Sequence, residues 1–140
     1  MNDITENDFW NTLNEPEPVI EFLIKYKIYR WYNEENKLHR ENDRPAEIWY
    51  NSDSFVYIRE WYQNGELHRE NGLPAVIWYY PDGSIYKKAW YQNYQRHRIY
   101  GPAEILYSNN GGIYKARWYF NGTPYTEKKY YQKLKELGYE

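Results

Sequence analysis

Three His-Arg pairs, His39-Arg40, His68-Arg69 and His97-Arg98, are the residues in this 140-residue chain best suited to chemistry. An imidazole can serve as a base near neutral pH, and a guanidinium can hold an anion. The pairs recur at a fixed step of 29 residues. A catalytic site needs groups that converge, whereas a repeat spaces its copies along an axis. No nucleophile recurs beside them. The expectation is therefore structural: each His bonds a backbone carbonyl near the following proline, and each Arg pairs with a carboxylate such as Glu41 or Glu70. Three His at such intervals lack the close spacing of a zinc site, and there is no Cys to complete one. The Asp and Asn residues form no calcium loop. No Gly-rich phosphate loop or nucleophile elbow is present. The sequence thus predicts a protein that is not an enzyme, with no catalytic residue, metal, cofactor or small-molecule substrate.

The elements that carry these pairs are repeated too. Trp-Tyr occurs at Trp31-Tyr32, Trp61-Tyr62, Trp90-Tyr91 and Trp118-Tyr119, in steps of 30, 29 and 28 residues. Pro-Ala follows at Pro45-Ala46, Pro74-Ala75 and Pro102-Ala103, each with an Ile and a Tyr three and five positions after the Pro. From each Pro to the next Trp the distance is always 16 residues, so all length variation lies between Trp and Pro. The constant segment must hold paired strands, because an insertion in a strand turns its side chains to the wrong face. Asn64-Gly65 and Asp82-Gly83 are strong hairpin signals. Asn110-Gly111 and Asn121-Gly122 stand in equivalent places, and Asp53-Ser54 and Asn93-Tyr94 are degenerate versions. The expected unit is a strand over Ile85–Gln92, a tight turn, a short segment with His-Arg, a turn at Pro, and a strand over Ala75–Tyr80. The His residues and Pro45, Pro74 and Pro102 are its structural markers.

Period-two alternation assigns faces. Ala46, Ile48 and Tyr50, with their copies Ala75, Ile77, Tyr79 and Ala103, Ile105, Tyr107, form an unvarying face and the expected core. The opposite face carries Glu47, Trp49, Val76, Trp78, Glu104 and Leu106, whose types vary as a recognition surface allows. Trp49, Val76, Trp78 and Leu106 are the candidate partner-binding residues. A competing expectation has the N-terminal segment folding over this face through Phe9, Trp10, Ile20 and Leu23. Residues 1–27 read as a helical cap: Asp8 as a possible cap before Phe9, Trp10 and Leu13, then a second helix from Pro18 with Val19, Ile20, Leu23 and Ile24 on one side. Thr126 is an N-cap signal before Tyr130, Leu134 and Leu137, and Gly138 a C-cap signal. Helices at both ends would cover the sheet edges. The predicted fold is mainly β: one domain, an elongated antiparallel meander over residues 28–125 in units of about 31–60, 61–89, 90–117 and a partial 118–125, with a helix over 126–140.

The stretch Tyr79-Tyr80-Pro81-Asp82-Gly83-Ser84-Ile85-Tyr86-Lys87-Lys88-Ala89-Trp90-Tyr91-Gln92-Asn93 resembles the MORN-repeat variant, with its Tyr-Tyr-x-Asn/Asp-Gly and Trp/Tyr-Tyr-x-Asn-Gly pattern. The whole Trp-Tyr…Asn-Gly…His-Arg…Gly-Pro-Ala…Ile-x-Tyr unit is similar to repeats of giant DNA virus proteins, with bacterial relatives of antitoxin or immunity type. The resemblance spans about residues 28–125. It implies an elongated array of β-hairpins used for scaffolding, sometimes attributed to lipid contact. The longer unit and the His-Arg pair depart from the ordinary pattern, so a lipid role is not carried over.

Composition bounds the rest. Aromatic residues are 21% of the chain, with 7 Trp and 19 Tyr, which excludes an unfolded polypeptide. The absence of Cys fits a reducing compartment. No signal peptide or membrane-spanning run is visible. A cytoplasmic location is expected, in a host cytoplasm if the chain is viral. The net charge of −2 hides a division. Residues 1–84 hold 8 Lys/Arg and 16 Asp/Glu, giving −8; residues 85–135 hold 10 and 2, giving +8. Function is expected to be the binding of another protein through the aromatic sheet surface, as scaffold, adaptor or inhibitor. The alternative is an anion-binding module, for nucleic acid or acidic lipid, using Lys87, Lys88, Arg96, Arg98, Lys115 and Arg117. Head-to-tail self-association, acidic end to basic end, also stays open.

Overall fold

The computed structural model describes residues 15–139. It is mainly β. A nine-stranded sheet carries the order β1 (Val19–Phe22), β2 (Tyr26–Arg30), β3 (Glu47–Asn51), β4 (Val56–Glu60), β7 (Val76–Tyr79), β8 (Ile85–Ala89), β11 (Glu104–Tyr107), β12 (Ile113–Phe120) and β13 (Thr123–Tyr125). Every neighbouring pair is antiparallel. Two small hairpins lie outside this order, β5–β6 (Tyr62–Gln63, Glu66–Leu67) and β9–β10 (Tyr91–Gln92, Gln95–Arg96). One helix, α1 (Glu127–Glu136), closes the C-terminal end.

The expected strand over Ile85–Gln92 is broken at Trp90. Its first part, β8, stays in the large sheet, and its second, β9, turns into the small hairpin. The Trp90 amide donates to the Ala103 carbonyl at 2.8 Å, as Trp61 does to Ala75 and Trp31 to Ala46. The two kinds of turn have different chemistry. Asn64 and Gly65 both have positive φ, as do Asn121 and Gly122, which suits the tight two-residue turns of β5–β6 and β12–β13. Asn93-Tyr94 adopts the same conformation although Tyr94 is not a glycine. The turns between the long strands are wider: Tyr80 N donates to Ser84 O while Asp82 Oδ1 accepts the Ser84 amide.

The unvarying face is the core face, as its pattern predicted. Ala46, Ala75 and Ala103 are fully buried, and Ile48, Ile77 and Ile105 are nearly so. Each unit packs its own Trp there, in clusters built on Trp31 and Ile48, on Trp61, Ala75 and Ile77, and on Trp90, Ala103 and Ile105. An alanine at that position leaves room for the indole.

The ends depart from expectation in part. Val19–Phe22 is a strand, not the second helix proposed from Pro18. The unpaired edge of β2 offers main-chain hydrogen bonds to this short run, and Leu23 and Tyr26 exchange the hairpin bonds that close it. Pairing thereby overrides the helical spacing of four apolar side chains. Phe9, Trp10, Leu13 and the Asp8 cap lie outside the described residues. The C-terminal helix matches its signals. Thr126 is the N-cap, Tyr130 and Leu134 are buried, Leu137 is half-exposed, and Gly138 follows with φ of 86°.

Candidate interaction site

The face opposite the core bears a row of rings placed by register. Cross-strand pairing sets Trp49 opposite Ile58, Ile58 opposite Trp78, and Trp78 opposite Lys87. Beside this row the register shifts three times. Between Trp49 and Tyr50 the partners step from Ile58 to Val56, leaving Tyr57 over. The same shift leaves Tyr86 between Ile85 and Lys87, and Tyr114 between Ile113 and Lys115. Each is a β-bulge, and an extra residue re-aims side chains. Tyr57 and Tyr86 therefore join the Trp face. Tyr57 lies 5.5 Å from Tyr26, ring to ring, and 6.0 Å from Trp78. Tyr26 meets Trp49 edge-on at 5.6 Å. Trp78 meets Tyr86 at 6.2 Å, and Tyr86 meets Tyr80 at 5.3 Å. The product is a continuous ladder of six rings across β2, β3, β4, β7 and β8, with Tyr80 placed just after β7. Its rings are half-buried, so each keeps a free surface. Lys87 Nζ sits 5.0 Å over the Trp78 ring.

Simple alternation missed the bulged tyrosines, because it assumes one residue opposite one. The signal was present: Tyr57, Tyr86 and Tyr114 recur at 29 and 28 residues. Among the four candidate contact residues, Trp49, Trp78 and Leu106 are half-buried, whereas Val76 is 5% exposed and offers almost no surface. Glu47 and Glu104 on the same face are also buried. The suggested cover does not come from Ile20 or Leu23. Ile20 packs against the core-face cluster, and Leu23 is exposed.

A charged row runs beside the ladder. Arg30 donates to Glu47 at 2.7 Å and also pairs with Glu21. Glu47 accepts the Trp49 indole N–H. Glu60 lies directly across from Glu47 and accepts the Tyr62 hydroxyl at 2.8 Å. Burial raises the Glu60 carboxyl above its ordinary pKa, and the like charge of Glu47 adds to this. Glu104 receives Arg117 at 2.7 Å, Arg96 at 3.0 Å and Lys87 at 4.0 Å. Burial lowers the Lys87 ammonium, and Glu104 opposes that shift. The six basic candidates thus do not form one patch. Lys87, Arg96 and Arg117 converge on a buried carboxylate, Lys88 lies over the Tyr107 ring, Arg98 over Trp90, and Lys115 is exposed.

The His-Arg pairs hold the units together through partners that differ in part from those expected: Arg40 and Arg69 do pair with carboxylates, but with Glu15 and Asp43. Nδ1 of each His accepts: His39, His68 and His97 take the backbone N–H of Asn64, Asn93 and Asn121 in the next tight turn, at 3.1, 3.2 and 3.0 Å, which leaves the Nε2 proton of His39 and His68 to donate to a carboxylate. The carboxylates assigned to Arg belong to His instead, His39 to Glu41 at 2.8 Å and His68 to Glu70 at 2.6 Å. Each Arg donates to the carbonyl of the following Pro, at Pro45, Pro74 and Pro102. The three His thus have separate partners in units spaced two strands, about 10 Å, apart. The described residues contain no cluster of three side chains suited to a metal. None of their helices is long and apolar enough to cross a membrane.

The fold and face define an antiparallel β-meander with an aromatic ladder on one side. No protein-family model, no curated protein and no solved structure matches the chain.

Proposed function

We propose that the chain is a non-enzymatic repeat module that binds another protein through the ladder face, as a scaffold, adaptor or inhibitor of MORN-like build. The observation that supports this reading is the unbroken run Trp49, Tyr26, Tyr57, Trp78, Tyr86 and Tyr80, half-buried on one face of the nine-stranded sheet. Contiguous exposed apolar surface marks interaction sites, and Trp and Tyr dominate binding energy at interfaces. A sheet holds them ordered before binding, which lowers the entropy cost of association. Arg30, Glu60 and Arg117 alongside, which keep part of their surface exposed, supply a polar rim. Capture of the partner from lysate of the native source, with and without nuclease and across a salt series, tests the reading. Binding that survives nuclease and falls only slightly with salt supports it. Binding that nuclease abolishes, or that collapses with salt, supports the anion-binding alternative, because phosphate contacts make affinity steeply salt-dependent.

A further inference from the structure

The arginines of the three His-Arg pairs are built alike on one edge and differently on the other. Each guanidinium sits over the indole of its own unit, Arg40 at 3.7 Å from Trp31, Arg69 at 3.8 Å from Trp61, and Arg98 at 3.8 Å from Trp90. Each spends Nη1 on the proline carbonyl, at 3.1, 3.0 and 3.1 Å. The remaining edge, Nε and Nη2, grips a carboxylate with two bonds in the first two units. Arg40 holds Glu15 at 3.1 and 2.6 Å, and Arg69 holds Asp43 at 2.8 and 3.1 Å.

In the third unit that acid is missing from the sequence. The counterpart of Asp43 is Gly72. Both stand two residues before a proline, both have positive φ (53° and 67°), and both carbonyls accept the next unit's Trp Nε1, at 3.0 and 2.8 Å. A Cβ at Gly72 would meet nothing within 4 Å. The counterpart of Glu41 and Glu70 is Ile99, so no second acid substitutes. Among the described residues Arg98 has no ion pair, and its side chain is only half-buried. Trp90 and Pro102 nevertheless hold it in the same pose as its two copies. Burial lowers its pKa, the direction expected of a cation lacking the carboxylate its copies have.

We propose that the Nε–Nη2 edge of Arg98 is a receptor for a carboxylate from outside the chain, the Asp or Glu side chain of an acidic partner segment. A guanidinium edge recognises a carboxylate through two parallel bonds, and the two filled copies show this fold presenting that edge to protein carboxylates. Leu73, 39% exposed beside Gly72, offers apolar contact to the approaching segment. This site involves the arginine on the core-face Trp90 and not the aromatic ladder, so it stands or falls separately from the ladder reading.

The test is a titration of the full chain followed by NMR at the Arg98 Nε–H signal. The probes are a capped Ala-Asp-Ala peptide, its Ala-Asn-Ala counterpart, acetate and inorganic phosphate. The expected result is a saturable, millimolar-range shift with the Asp peptide and acetate, and none with the Asn peptide. Gly72→Asp restores the repeat pattern in a backbone conformation that Asp43 already adopts. It should abolish the peptide response and raise the melting temperature by about 2–6 °C. Gly72→Asn should do neither. Arg98→Gln should lose the peptide response, which decides the matter if Gly72→Asp fails to fold. The proposal is overturned if the Asp and Asn peptides shift the signal equally or not at all, or if the response survives in Gly72→Asp. A response to phosphate without one to acetate or the Asp peptide overturns it as well.

Discussion

The two faces of one sheet are aromatic to a similar degree and use their rings differently. On the core face each Trp is buried and capped by the arginine of its own unit, in one of three separate clusters. On the other face the rings touch across units and keep exposed surface. A buried indole in a closed cluster stabilises the chain. A half-exposed ring in a continuous row leaves apolar area that a partner can cover. Aromatic content alone does not separate these roles; register and bulges do.

The largest expected effect is on the core face. Trp61→Ala should cost about 3–5 kcal/mol, read by denaturant unfolding, because it empties a closed cluster and removes the support of Arg69. A loss below about 1 kcal/mol would break the contrast between the faces. Next, Arg69→Ala should cost about 2–3 kcal/mol, since Asp43 and the Pro74 carbonyl lose their donor and Trp61 its cover. Trp78→Ala should fall below both, at about 1–2 kcal/mol, because the ring is only half-buried. A cost equal to that of Trp61→Ala would show that the ladder is core after all.

Two smaller effects are electrostatic. Burial lowers the pKa of His97, and its Nδ1 must stay unprotonated to accept the Asn121 amide. The unfolded chain therefore takes up the proton first. Stability from this group is complete above the ordinary histidine value of about 6.5 and is lost as pH falls below it. The melting temperature should drop between pH 7.5 and 5.5, and less so in His97→Gln. Glu60 has the opposite sense, with its pKa raised by burial and by Glu47. Its charge weighs against the fold at neutral pH, so stability should rise as pH falls toward the ordinary carboxylate range. Glu60→Gln should be neutral or stabilising by up to about 1 kcal/mol at pH 7, while Glu47→Gln, which removes the partner of Arg30, should destabilise.

Much of the core face was legible because its causes are local. Ala-x-Ile-x-Tyr shows its own alternation, and Asn-Gly turns carry their geometry in their residue types. The failures lie where a second strand decides. Val19–Phe22 became a strand because the β2 edge was available, which four apolar residues cannot announce. The bulges that turn Tyr57 and Tyr86 outward depend on pairing with β3 and β7. The exchange of partners between His and Arg was readable in part. Glu41 stands two residues from His39 and shares its side of an extended chain, while Asp43 reaches Arg69 only through the stacking of units. Of the candidate contacts, Trp49 and Trp78 followed from alternation. Val76 was misplaced because alternation gives the side of a sheet and not the depth of cover.

The most direct measurement is the affinity of the captured partner for three chains: the unaltered protein, Trp78→Ala on the ladder, and Lys88→Ala, whose side chain lies over Tyr107 on the core face. Melting temperatures are recorded for each. The account predicts that Trp78→Ala weakens binding by at least about tenfold while the chain remains folded at the assay temperature, and that Lys88→Ala binds as the unaltered protein does. Equal affinity for all three, with Trp78→Ala still folded, would contradict the claim that the ladder is the binding face.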